Sequence, residues 1–291
     1  MTAVPPGALV PPGHPLWQVH RERVLLLGAG RALLMQLAHP LVAAGVAEHS
    51  DFTRDPLGRL RRTLGPMYAM VFGDAAARAA ARRGLEAVHG RVRGRLAAAV
   101  GPFPAGAPYD AGDPALRAWV HATLVDSTLV AHARFVGPLA PAARSAYYAA
   151  SRLLGREVGV PENALPATIE AFEAWMARSC AGDTLTVGPA ARAAAAAVLR
   201  PRHPLLTPAM PLLRFVTAGL LPAPLRARYG LPWSPGRERL LEVLAAAVRG
   251  LRPALPAPLR VVAPARRAER AAVRARTVQP GAPSAARAHR P

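Results

Sequence analysis

The stretch Val24-Leu25-Leu26-Leu27-Gly28-Ala29-Gly30-Arg31-Ala32-Leu33 has two readings, and the choice between them sets the fold. Read as a strand and tight turn, it opens a dinucleotide-binding βαβ unit, with Glu48 about where a ribose-binding acid would stand. That reading requires a strand before Gly28. It also lacks its third glycine, since Leu33 occupies that place, and no alternation of strands and helices follows. Read as helix, the run continues through Met35, Gln36 and Leu37 to His39-Pro40, where proline interrupts it. Gly28 and Gly30 then serve helix breaking or close packing, and this is the reading we adopt.

Working outward, the same helical grammar recurs. Asp55-Pro56 and Asp113-Pro114 each place an N-cap carboxylate before a proline at the first helical position, and Asp74 is a further N-cap. These signals predict a helix carrying Arg59 to Thr63, a long helix over 75–100, and another over about 115–135. Further helices are expected over about 142–158, 165–180, from Gly188-Pro189 to before Pro201, and 238–248. No alternating run argues for a sheet and no repeat is evident. The expectation is an all-α, multi-helix single domain over residues 16–262, preceded by a Pro-rich arm (1–15) and followed by a disordered Arg/Ala/Pro-rich tail (263–291).

Composition narrows the function. The 291 residues are 52% hydrophobic, ample for a core, and carry a formal charge of +20. Every one of the 37 basic residues is Arg, which marks a chain-wide bias, and only 5% are aromatic. A solvated basic surface is therefore expected, and nucleic acid is not expected as a partner. Cys180 is the single cysteine, so an intramolecular disulfide, a CxxC pair or a thiolate zinc cluster is excluded. The N-terminal stretch has no cationic region followed by an apolar run, so no signal peptide is read and a cytoplasmic location is expected. Pro211 to Pro222 is too short to span a bilayer, which takes roughly 20 residues. It is read as a buried helix, with peripheral membrane contact left open.

Two sets of side chains carry chemistry. Arg59, Arg62 and Thr63 fall at helical spacings i, i+3 and i+4 and share a face. In Ala87-Val88-His89-Gly90-Arg91-Val92-Arg93, His89 has a guanidinium one turn later at Arg93, among apolar residues Leu85, Val88, Val92 and Leu96 that turn it inward. No HExxH and no histidine pair at i, i+4 suggests zinc. Asp126-Ser127 near His121 lacks a nucleophile elbow. A lone inward histidine can instead give an axial nitrogen to haem iron, with a nearby arginine for a propionate. His39, His49, His121 and His132 are read as imidazoles bonding to helix ends or supporting groups.

The ordered set Arg31 to Pro40, Val42-Ala43-Ala44-Gly45-Val46, Glu48 to Phe52, Arg59-xxx-Thr63, Phe72-Gly73, His89, Tyr109, Asp113-Pro114 and Trp119 to Thr123 resembles the oxygenase MpaB and rubber oxygenase (latex-clearing protein) family. The resemblance covers roughly residues 17 to 180. It implies a globin-like core around haem b, with dioxygen as co-substrate and cleavage of a C=C bond in an isoprenoid. His89 matches the proximal iron ligand and Arg93 the arginine after it. Arg59 and Thr63 match residues on the haem's other side, and His121 a supporting residue. Arg62 stands where rubber oxygenases have a lysine able to cap the iron, a role an always-charged guanidinium fills poorly. Glu48 is the nearest candidate for the base. The expected substrate is a small unsaturated hydrophobic molecule, and oligomeric state is not read. The alternative is a haem-free helical lipid-binding protein.

Overall fold

A computed structural model of the chain describes residues 8–49, 56–200 and 207–278. The deciding stretch is helical. Arg23–Gly28 is a 3₁₀ helix that runs into helix α2 (Ala29–Leu37), following a short α1 (Pro15–His20). The strand needed for a dinucleotide fold is absent, which removes that reading. The two glycines serve close packing, as adopted from the sequence. A Cβ on Gly28 would lie 2.9 Å from the Ala131 methyl, and one on Gly30 would overlap the Thr217 hydroxyl. Gly30→Ala is accordingly expected to cost about 1–3 kcal/mol through overpacking, read as a lower urea midpoint at unchanged slope.

The remaining helices are α3 (Pro40–His49), α4 (Pro56–Phe72), α5 (Ala75–His89), α6 (Pro114–Phe135), α7 (Pro141–Glu157), α8 (Ile169–Ala181), α9 (Pro189–Leu199), α10 (Met210–Leu220), α11 (Ala223–Arg228), α12 (Pro235–Leu251), α13 (Ala257–Arg260) and α14 (Ala263–Val278). The domain is all-α, with one two-stranded ribbon between α5 and α6. The predicted caps at Asp74 and Asp113 form: Asp74 accepts from Ala77 N–H at 2.8 Å and Asp113 from Ala115 N–H at 2.7 Å. The Asp55 cap lies outside the described residues. Pro66 sits inside α4 without ending it.

Helix α6 organises the core. It is apolar around most of its circumference, burying Leu116, Trp119, Ala122, Val125, Ala131 and Phe135, and such a helix belongs in the interior. It packs on α1, α2, α7, α8 and α12. Its one acid, Asp126, is largely shielded from solvent and is matched. The Arg31 guanidinium of α2 pairs with Asp126 at 2.6 Å, donates to the Ser127 hydroxyl at 2.7 Å and to the Leu220 carbonyl at 2.7 Å, tying α2, α6 and α10 together. Pro211 to Pro222 lies largely in α10, whose Val216, Thr217, Ala218 and Leu220 are buried, as the sequence reading held. Among the described residues no single helix is long and apolar enough to cross a membrane.

Two expectations are corrected. The helix over 75–100 stops at His89. Gly90 caps it, and residues 93–95 leave the helix to form strand β1 (Arg93–Arg95), paired antiparallel with β2 (Pro108–Asp110) in the register Arg93↔Asp110, Gly94↔Tyr109, Arg95↔Pro108. A side chain at Gly94 would overlap the Tyr109 hydroxyl, so the glycine that weakens the helix is also what admits the partner strand. The tail read as disordered begins as α14. Its small residues Ala265, Ala268 and Ala272 turn inward, and Glu269 accepts the Trp17 indole N–H at 3.0 Å and pairs with Arg21 at 3.1 Å. Residues 279–291 lie outside the described residues.

Candidate active site

Helix α3 brings small residues against the ribbon. Ala43, Ala44 and Gly45 are buried, and a Cβ on Gly45 would stand 3.2 Å from Val92 and 3.6 Å from the Tyr109 ring. Tyr109 is therefore seated between two glycines, Gly45 and Gly94. Its hydroxyl donates to the carboxylate of Glu48 at the end of α3 and lies 3.4 Å from His49 Nε2. Burial and the Glu48 carboxylate push the phenol up to about 12. His49 Nε2 also meets the Arg93 carbonyl at 3.3 Å. Glu48, the base candidate by sequence position alone, thus has a fixed partner that sequence reasoning did not find.

His89 ends α5 and is half-buried, whereas Val88 beside it is 54% exposed. None of the residues of α5 is fully buried, so the inward apolar stripe expected around His89 is only partly formed. The chain ends its helix there, and Arg93 does not follow one helical turn later. It lies in β1, exposed, pairing with Asp110 at 3.0 Å. What His89 offers instead is an open nitrogen: Nδ1 is shielded from solvent and makes no hydrogen bond. Burial, reinforced by the Arg117 guanidinium, lowers its pKa, so the imidazole is neutral at physiological pH.

A second open imidazole appears at His39, between α2 and α3. Its Nδ1 is likewise buried without a partner, its ring lies 5.4 Å from Phe103, and burial, opposed by Asp113, brings its pKa down to about 4. Bonding to a nearby helix end was expected of it, and that bond is not made by Nδ1. The other three histidines of that group do bond to carbonyls: His49 to Arg93, His121 to Ser151 at 2.9 Å, and His132 to Gly137 at 2.8 Å. The groups that perturb His39 and His89, Asp113 and Arg117, stand one turn apart at the start of α6.

Arg62 and Thr63 stand on the exposed surface of α4, and the backbone keeps Arg59, Arg62 and Thr63 at the helical spacings read from the sequence. The Arg59 side chain lies outside the described residues. His121 belongs to a separate buried cluster, where its ring packs on Gly155 and its charge would act on His20. His20 in turn meets the Tyr147 hydroxyl at 3.3 Å.

Among the described residues no group of three His, Cys, Asp or Glu side chains could hold a bare metal ion. One neutral histidine with an uncommitted, shielded nitrogen is the donor that a tetrapyrrole-bound iron requires, because the macrocycle supplies the other four ligands. His89 fits that demand.

The domain holds a neutral, open imidazole at His89 and a Tyr-held carboxylate at Glu48, and comparison with known proteins gives the class. Residues 17–250 match the family described as ER-bound oxygenase mpaB/B'/Rubber oxygenase, catalytic domain. The chain belongs to that family, and is an oxygenase catalytic domain that uses dioxygen. Two uncharacterized mycobacterial proteins, Mb2261 of Mycobacterium bovis and Rv2237 of Mycobacterium tuberculosis, are each 31% identical over 223 residues, 75% of this chain and 84% of theirs. No solved structure matches.

Proposed function

We propose that the protein is a haem b-dependent oxygenase that acts with dioxygen on an unsaturated hydrophobic molecule, of isoprenoid type, and cleaves a C=C bond to carbonyl products. The observation that carries the proposal is the buried, unbonded Nδ1 of His89, in a chain whose family is an oxygenase catalytic domain. Bound haem would supply the iron that activates dioxygen. His89 would hold it, its neutral imidazole kept available because neither solvent nor a protein acceptor competes for Nδ1.

The rest of the chemistry falls to this chain's own side chains. Arg59, Arg62 and Thr63, sharing one face of α4, are the donors proposed for the distal side, where guanidinium and hydroxyl groups steady negative charge that develops on oxygen. Arg62 holds its proton throughout and acts as a donor only. Glu48 is the proposed proton acceptor. The Tyr109 hydroxyl donates to one of its oxygens and fixes its position, and the other is the proposed acceptor of a substrate proton. Arg93 and His121 are not given direct roles: the first is spent on Asp110 and the second on the Ser151 carbonyl.

Haem-loaded protein incubated with a short polyprenoid under ¹⁸O₂ should take up oxygen and yield labelled aldehyde or ketone fragments. Haem-loaded protein that consumes no oxygen with any unsaturated hydrocarbon would refute the proposed reaction.

A further inference from the structure

Helix α12 carries two apolar faces where the fold uses only one. The inner face is spent in the core, with Leu241 and Ala245 fully buried against Phe135 and Val216. The outer face repeats the pattern: Leu240, Val243, Ala247 and Leu251 follow at spacings of 3, 4 and 4, and their large members are 58%, 65% and 66% exposed. The stripe does not stop with the helix. Leu255 and Leu259, the latter 59% exposed, continue it past α12 and into α13. Together with Leu251, Val24 and Val248 they line a groove of about 230 Å³. Single exposed leucines are ordinary on a protein surface, but a continuous run along a helix and its extension marks a contact surface.

The charge around this stripe selects the partner. Between residues 237 and 260 stand Arg237, Arg239, Arg249, Arg252 and Arg260 against two acids, Glu238 and Glu242. Both acids are already engaged by Arg134, Glu238 at 2.5 Å. Glu22 pairs with Arg252 at 2.9 Å. The apolar stripe is thus bordered by surplus guanidinium charge, on a chain whose formal charge is +20. A second copy would bring the same cations face to face. A bilayer containing anionic lipid answers both features at once, with acyl chains for the leucines and phosphates for the arginines.

We infer that the outer face of α12, continued through Leu255 and Leu259, is a docking surface for an anionic lipid bilayer, on which the helix lies in the plane of the headgroups without crossing. This holds independently of haem or catalysis, and it would bring the domain to the phase in which a hydrophobic substrate resides.

The test is flotation of purified full-length protein with vesicles of phosphatidylcholine alone, or with phosphatidylglycerol added, at ~0.1 M and ~0.5 M salt, since screening separates the ionic contribution. Wild type should float with the anionic vesicles, less at high salt and less with phosphatidylcholine alone. The double substitution Leu251→Asp, Leu255→Asp should reduce flotation by about tenfold or more, because each aspartate places a charge at the acyl boundary. These side chains contribute little to the core, so the thermal melt should not move. If it does, Val243→Asp, about two turns before Leu251 on the same stripe, takes its place and should lower flotation likewise. Wild type that floats on neither vesicle, variants that float as wild type does, or a wild-type dimer that the aspartates split in the absence of lipid would each overturn the inference, the last assigning the stripe to a second copy.

Discussion

Asp126→Ala is expected to destabilise the fold by about 3–5 kcal/mol, the largest effect of any single side-chain change outside the apolar core. The Arg31 guanidinium is almost wholly buried and is held by three acceptors, of which only Asp126 carries charge. Removing that carboxylate leaves a buried cation with the Ser127 hydroxyl and the Leu220 carbonyl alone, which cannot repay its lost hydration. Replacing both partners by apolar residues of similar volume, Arg31→Met with Asp126→Leu, should recover most of the loss. Urea unfolding of the three proteins checks this. A single substitution that costs less than ~1 kcal/mol would mean that the pair is solvated in solution.

Acidification should unfold the protein through its buried imidazoles, well before most carboxylates titrate. His121 is buried, its Nε2–H donates to the Ser151 carbonyl, and burial, only partly offset by that carbonyl, takes its pKa from 6.5 down to about 4. His20, beside the Tyr147 hydroxyl, is lowered to about 4 by burial and then by the like charge on His121. Because the folded values lie below the unfolded one, the unfolded chain binds more protons between pH 6.5 and 4. Stability is therefore complete above 6.5, falls as pH drops through that window, and has lost about 3 kcal/mol for such an imidazole once pH is below 4. His121→Gln keeps a donor without a titratable ring and should flatten the profile over that range. Identical slopes for wild type and His121→Gln would show that His121 is solvated.

The parts of the fold legible in the sequence were those set by local signals. The Asp-Pro and Asp caps at Asp113 and Asp74 start helices where they should, and the apolar run from Val24 is helical because no strand partner follows it. The parts that were not legible depend on partners far away in the chain. Nothing before residue 93 announces that Asp110 and Tyr109 will draw Arg93 and Gly94 out of a helix. Likewise the composition of α14 is that of a disordered tail until Trp17 and Arg21, about 250 residues earlier, supply partners for Glu269. The candidate site follows the same division. His89 was proposed from its neighbours and from the family resemblance, but its place at a helix end, its separation from Arg93, and the open nitrogen of His39 come only from tertiary packing. One signal had been available. A charged residue inside an otherwise apolar run, as with Arg31 and again with Asp126, marks a buried partner in advance.

Two histidines, His39 and His89, carry a shielded, unbonded nitrogen, and His89 is the one proposed to hold iron. The most direct test is the absorption spectrum of protein expressed with haem supplied, comparing wild type with His89→Ala and His39→Ala. A Soret band is expected in wild type, retained in His39→Ala, and lost or displaced in His89→Ala, with the circular dichroism of all three unchanged. A Soret band unaltered by His89→Ala, or no haem in folded wild type, would contradict the proposed role of His89.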